Sequence, residues 1–529
     1  MRTERIAAAL AGALLLAGCT GSPAATTIAV DASGAPNAAA VALPGELDAL
    51  VAAAVERLPG LIEQALADSG VPGLAVAVVS GGETVYSAGF GVRELGRPEA
   101  VDADTVFQIA SVSKSLTGTA IARLVSDGVL DWDTPVHELL PDLVLSDPYV
   151  TEHATIADFM SHRSGLRTGA GDELEMLGYD RDTILGRLAR QPLDAFRSSY
   201  HYSNFGITIA GEAAAAAAGL PWEELVEREL FAPLGMTSTS ARHEDYLAAA
   251  DRAAIHARID GRFEARFQRD ADAEAPAGGV SSTANDLATW MRLVLAGGEH
   301  DGEALIAPEA LTPAITPQQV SGHPGAPIDR AGFYGYGFNV SDGTSGRTTI
   351  GHSGAFILGT GTNFRMIPAL GIGIVVLTNG APVGVAEGIA NDFTELVELG
   401  TLTRDWVGAY ADALAEDLAP TGDLLGAARP AADPPALDDY VGTYESDYLG
   451  RAVVERDGDG LVVRMGPDGA FAVELDPWDG DEFASTATGE EAPAGSVYSA
   501  TFRRVDGAVA GLTLALFDEQ GLGTLERVS

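Results

Sequence analysis

The chain of 529 residues is nearly devoid of lysine: of 32 basic residues, 31 are arginine and one is Lys114. It has one cysteine, Cys19, which excludes an intrachain disulfide and a cysteine-based metal site. Positive charge is scarce as well, 32 basic against 75 acidic residues for a net charge of −43. Such a surface repels nucleic acid phosphates, so no nucleic acid partner is expected. Two readings of the acidic surplus stand side by side: solubility in a saline medium, or a genome whose composition favours Ala, Gly, Asp and Arg. The 9 histidines show no His-x-His or His-Glu-x-x-His spacing, which argues against a metal-dependent hydrolase, and no cofactor is expected. Long apolar runs are missing too. Ile6 to Ala17 is too short to span a bilayer, and no later segment is a transmembrane candidate.

What remains is a globular composition, 46% hydrophobic and 20% charged, on a chain long enough for two folded units. The amino terminus carries Arg2 and Arg5 before the apolar run, which ends in Leu16-Ala17-Gly18-Cys19. This resembles the bacterial lipoprotein signal over residues 1–19. The resemblance implies lipidation of Cys19 and an extracytoplasmic protein held to the bacterial cell membrane by that anchor. Residues 20–45 are rich in Ala, Thr, Ser, Gly and Pro and read as a flexible tether able to reach several tens of ångströms.

Apolar residues at helical spacing predict a first helix over Leu47 to Ala67. Leu74–Val79 and Thr84–Gly89, joined by Gly81-Gly82, predict a hairpin. A helix is expected from Ser111 to Asp127, a mostly helical middle from about 130 to 330, and strands at Gly335–Val340, Thr348–Ile350, Thr362–Ile367 and Ile372–Thr378. Strands at both ends with helices between describe one α+β unit over residues 46–400. Residues 401–436, ending in a Pro-rich stretch, read as a linker, and the short alternating segments of 437–529 as a small antiparallel β domain.

Three strings carry chemistry. In Ser111-Val112-Ser113-Lys114 a helix puts the first and last residues on one face. A serine hydroxyl needs a neighbouring base, which arginine cannot be and lysine can, once burial and nearby positive charge lower its pKa from about 10.4. Chance places serine three residues before a lone lysine only about 6–7% of the time. In Tyr202-Ser203-Asn204, the phenol could ionise beside Lys114 and shuttle protons, and the Asn204 amide could hold substrate. In His352-Ser353-Gly354-Ala355, the glycine would let substrate lie against the backbone, and the N–H groups of Ala355 and Ser111 could form an oxyanion hole.

In this order the three strings resemble the serine β-lactamase and penicillin-binding superfamily, nearest to class C β-lactamases and their esterase, D-aminopeptidase and D,D-peptidase relatives, over about residues 50 to 400. Thr155–Leu166 and Gly371–Asn379 also look like that branch, and Tyr440-Val441-Gly442-Thr443-Tyr444 resembles its appended lipocalin-like domain. The resemblance implies a serine hydrolase with catalytic Ser111, Lys114 and Tyr202, and with Asn204, His352, Gly354 and Ala355 at the substrate. The expected substrate is a small ester, a D-amino-acid peptide or a β-lactam. The rival reading is a penicillin-binding sensor that acylates without turnover, or a cell-wall binding protein. His162 falls at a structural helix end in this comparison, and His201 in a loop near the cleft. One departure stands out: His352 occupies the place of the lysine in the Lys-Thr-Gly string. A histidine there is expected to titrate near neutrality and to hold a substrate carboxylate less firmly, which shifts weight from penicillins to esters and D-amino-acid peptides.

Overall fold

Strand Gly73–Ser80 (β1) is buried along its whole length, because its alternate side chains have apolar partners on both faces of a sheet. Leu74, Val76 and Val78 pack with Val51, Leu58, Ile374, Ile389 and Phe393, while Ala75, Ala77 and Val79 join the opposite core with Trp290 and Met291. That explains why the strand reads as one unbroken apolar run rather than an alternation.

A computed structural model describes residues 44–326, 329–428, 430 and 436–528. The signal segment, Cys19 and the tether up to residue 43 lie outside the described residues. Helix α1 (Pro44–Ser69) precedes β1, so regular structure begins within the stretch read as tether. Strand β2 (Glu83–Gly91) completes the expected hairpin. Helix α2 (Ser113–Ser126) follows a 3₁₀ turn over Ala110–Val112, then α3 (Asn204–Ala218) and α4 (Ala284–Leu295). Strands β3 (Gln319–Gly322), β4 (Gly332–Tyr334), β5 (Asn339–Asp342), β6 (Thr348–Phe356), β7 (Thr360–Ile367) and β8 (Ile372–Thr378) come next. The eight strands form one antiparallel sheet in the order β2-β1-β8-β7-β6-β5-β4-β3. First and last segments are thus adjacent through β1 and β8. Of the expected strand over Gly335–Val340 only Asn339 and Val340 are in a strand, β5; residues 335–338 are a turn between β4 and β5, where Gly335 and Gly337 press on other backbone: a Cβ would lie 2.0 Å from Ala314 O and 2.2 Å from Lys114 O respectively.

Helices α1 and α5 (Val385–Leu399) cover one face of the sheet, and α4 covers the other. Helix α2 runs through the middle of the second core with eleven of its residues buried, including Ser113, Ser115 and Thr117. Buried hydroxyls need partners. Ser113 Oγ accepts from Val280 N at 3.1 Å, Ser115 donates to Gly337 O at 2.5 Å, and Thr117 to Pro276 O at 2.6 Å. These bonds pin the helix that carries Lys114 to its surroundings on three sides.

The segment read as linker contains α6 (Trp406–Leu414) and a stretch that pairs with the second domain, Val497 N donating to Thr421 O at 2.9 Å and Ser499 N to Asp423 at 2.8 Å. That domain is a closed antiparallel barrel of eight consecutive strands from Gly442 to Arg527. Tyr444 anchors it, its hydroxyl donating to Tyr440 O at 2.7 Å. The barrel is docked, not tethered loosely: Tyr448 donates to Glu173 at 2.9 Å, Tyr179 to Leu449 O at 2.9 Å, and Arg187 to Tyr448 O at 2.8 Å.

Candidate active site

Ser111 sits in the 3₁₀ turn just before α2 rather than inside the helix. The residue before it, Ala110, is fully buried with φ +46°, a left-handed conformation that costs a non-glycine residue of order 1 kcal/mol and is held by the surrounding structure. A turn of helix later, Lys114 Nζ lies 2.9 Å from Ser111 Oγ. Its other two neighbours are Asn204 Oδ1 at 2.8 Å and Ala277 O at 2.9 Å, the latter from a π-helical turn over Ala275–Gly279. Both of those partners are acceptors. A neutral amine donates its two N–H groups to them, which leaves its lone pair for the Ser111 hydroxyl.

Lys114 is completely buried, and burial lowers its pKa to about 7 against the opposing pull of Glu274 and Asp172. The sequence reading expected nearby positive charge to help; the neighbours are carboxylates, and desolvation alone overcomes them. The Tyr202 ring lies 4.7 Å from Lys114 Nζ, and its phenol is hydrogen-bonded to Ser111. Burial pushes that phenol well above its usual range, so it stays protonated, in contrast to the ionised form expected from sequence. Tyr202 is placed by its neighbour Ser203, which caps α3 by accepting from Gly206 N at 3.0 Å.

His162 holds this loop: its Nδ1 accepts from Ser203 N at 3.1 Å and its ring packs 4.6 Å from that of Tyr202. Burial, with Lys114 and His352 nearby, keeps it neutral. His201 lies in the same loop, its Nε2 3.2 Å from Asp194. Asn204, expected to bind substrate through its amide, lines the cleft and also bridges Lys114 and Asp172, its Nδ2 donating to Asp172 Oδ2 at 3.3 Å.

His352 departs from expectation. Its Nδ1 donates to Ser353 O at 2.6 Å, and its Nε2 accepts from the Tyr334 hydroxyl at 2.8 Å. Burial and Lys114 push its pKa down to about 3. It is a neutral, fully engaged imidazole and lends no charge to a substrate carboxylate. Gly354 is needed for the protein's own packing: a Cβ there would lie 2.2 Å from Ile109 O, 2.3 Å from Thr362 Oγ1 and 3.1 Å from Ser111 N. Strand β6 therefore presses directly on the turn that carries Ser111. Beyond Gly351, β6 outruns its pairing with β5, so residues 352–356 have no strand partner on that side among the described residues, and Ala355 and Ser111 both line the cleft.

That cleft is a cavity of about 680 Å³ between the two domains. Sequence reasoning missed Asp172, Glu274 and the Ala277 carbonyl around Lys114, and it missed that Glu490 and Glu491 of the barrel reach the cavity. The adjacent pair Glu490-Glu491 between predicted strands was the one signal available for them.

Ser111 and Tyr202 line one cavity with Lys114 buried directly behind Ser111, an arrangement suited to a serine hydrolase. The comparisons agree with that class. Residues 58–398 match the beta-lactamase family, and the chain belongs to it. Residues 427–524 match a domain of unknown function, DUF3471. The chain is 30% identical over 348 residues to penicillin-binding protein 4 of Amycolatopsis lactamdurans, covering 62% of this chain and 85% of that protein. It is 34% identical over 211 residues to esterase EstB of Burkholderia gladioli, covering 36% and 52%. With the D-alanyl-D-alanine-carboxypeptidase/endopeptidase AmpH of Escherichia coli K12 it shares 25% over 348 residues, covering 62% and 86%. Among solved structures, the octameric penicillin-binding protein homologue from Pyrococcus abyssi superposes with a TM-score of 0.57 at 21% identity, over 89% of this chain and 100% of that one, a likeness of fold.

Proposed function

We propose that the protein hydrolyses an ester or amide through a covalent acyl-enzyme on Ser111. The observation that carries this reading is the buried Lys114 amine, 2.9 Å from Ser111 Oγ and within hydrogen-bond distance of two acceptors, Asn204 Oδ1 and Ala277 O. In the first step Lys114 takes the Ser111 proton as Oγ attacks the carbonyl carbon. The N–H groups of Ser111 and Ala355 receive the oxyanion. Tyr202 hands its proton to the leaving group and regains one from Lys114, so both return to their starting states. Water then attacks the acyl carbon with the same pair as base and releases Ser111. A neutral His352 and an acidic cleft favour ester and peptide substrates over penicillins, whose carboxylate would meet no cation at the strand.

Incubation with a fluorophosphonate followed by mass spectrometry tests the nucleophile. A single adduct on Ser111, lost in Ser111→Ala, is expected; a stable adduct on another residue, or none, would refute the assignment.

The pH dependence follows from Lys114. Its pKa in the folded protein is about 7, and only the free amine accepts the Ser111 proton. The rate on a neutral ester should therefore fall about tenfold per pH unit below ~7 and level off above it. A profile flat from pH 5 to 9 would remove Lys114 from the role of base.

A further inference from the structure

His162 takes no part in the proposed chemistry, yet its setting is unlike that of an ordinary helix end. It stands just beyond the short helix Ile156–Met160, with φ +57° and 2% exposed. That left-handed conformation is uncommon outside glycine. Its Nδ1 accepts from the Ser203 N–H, so the ring proton sits on Nε2, which is buried and has no hydrogen-bond partner among the described residues. A strained backbone and a buried unmet donor are both unfavourable, and a histidine present in spite of both needs a compensating role.

That role lies in what His162 holds. His201 N donates to His162 O at 3.0 Å and Ser203 N to His162 Nδ1 at 3.1 Å, so one residue receives the backbone N–H groups on both sides of Tyr202. The imidazole also lies against the Tyr202 ring, their centroids 4.6 Å apart. The clamp has a firm base. Wholly buried Asp158 binds Arg163, next to His162, and Arg197, which leads into the Tyr202 loop, each at 2.7 Å. Arg197 N donates to Arg163 O at 2.8 Å across the same seam. Tyr202 itself lies in the irregular stretch before α3, where no helix or sheet ladder fixes its backbone.

We infer that His162 is a positioning residue for the reaction: it clamps the chain on both sides of Tyr202 and so holds the phenol where it meets the leaving-group oxygen. The inference rests on the acyl-enzyme reading, in which the Tyr202 hydroxyl gives its proton to the departing oxygen and is reprotonated by Lys114. A small displacement of the phenol slows that transfer more than the attack by Ser111. The defect is therefore selective. It falls on esters whose alkoxide needs a proton to leave and spares a nitrophenolate, which departs without one.

Tyr202→Phe, His162→Leu and His162→Asn, assayed on ethyl butyrate and p-nitrophenyl butyrate, test this. Leucine keeps bulk and loses the acceptor. Asparagine loses bulk, tolerates positive φ and carries Oδ1 on Cγ where the imidazole has Nδ1. His162→Leu should lower kcat/KM for the ethyl ester at least about tenfold more than for the nitrophenyl ester, as Tyr202→Phe does, and the double variant should be no worse than Tyr202→Phe alone. His162→Asn should bring the ethyl ester back to within about fivefold of the unaltered protein. A smaller folded fraction lowers both esters equally and does not move their ratio. Should His162→Leu fail to fold, His162→Gly replaces it, since glycine relieves the backbone and still lacks the acceptor. An unchanged ratio in that variant beside a raised one in Tyr202→Phe would overturn the inference alone, as would a His162→Asn defect as deep as that of His162→Leu. An unchanged ratio in Tyr202→Phe, or cleavage of neither ester by the unaltered protein, would instead refute the acyl-enzyme reading, and the inference with it.

Discussion

Lys114→Arg is expected to lower kcat/KM by about 10⁴, or roughly 5 kcal/mol of transition-state stabilisation. Arginine preserves the positive charge and can still donate to Asn204 Oδ1 and Ala277 O, the two acceptors that hold the lysine. It cannot take a proton from Ser111, because its guanidinium does not deprotonate. The substitution therefore separates a base from a merely cationic neighbour. The larger group must also fit where the lysine is wholly enclosed, so the folded state is checked by thermal melting, and Lys114→Met serves as the companion that removes charge with little change in volume. Loss of turnover in both, with melting transitions retained, is the expected pattern. A Lys114→Arg enzyme within a few-fold of the unaltered rate would end the proposed mechanism.

Gly354→Ala should reduce kcat/KM by about 10² and destabilise the fold by about 2–3 kcal/mol. The added methyl would meet Ile109 O at 2.2 Å and Thr362 Oγ1 at 2.3 Å, and Thr362 is itself bonded to Ile109 O at 2.9 Å. A backbone carbonyl cannot rotate away as a side-chain tip can. Strand β6 and the turn at Ser111 must therefore separate, which moves both N–H groups assigned to the oxyanion and shifts Ser111 Oγ relative to Lys114. Urea unfolding and the rate of fluorophosphonate labelling measure the two effects independently. Unchanged stability together with unchanged labelling would mean that the close approach of strand and turn has no bearing on the site.

Both variants act on a centre assembled from distant parts of the chain. Lys114 depends on Asn204 and Ala277, ninety and more residues away in sequence. The neutrality of His352 depends on Tyr334 and on burial beside Lys114. Its position on β6 was readable as a strand residue of a Ser-x-x-Lys hydrolase; its electrical state was not, since the desolvation that sets it comes from side chains on other elements. A Tyr-x-Asn string reveals an amide near the site but not which groups it meets.

The sequence by itself singled out the candidate centre. A single lysine three residues after a serine, a Tyr-x-Asn string and a His-x-Gly string in order offered Ser111, Lys114 and Tyr202 as candidates, and the α+β domain followed by a β domain was legible because helical spacing and strand alternation are local properties. Only the tertiary structure decided the electrostatics. Whether Lys114 is free amine or ammonium, whether His352 carries charge, and which carboxylates share the cleft all depend on burial and on charges brought from remote segments. The acidic surplus read from composition as a general surface property turned out to reach into the cleft beside Ser111, which Asp172 and Glu491 both line from two domains, more than three hundred residues apart in the chain.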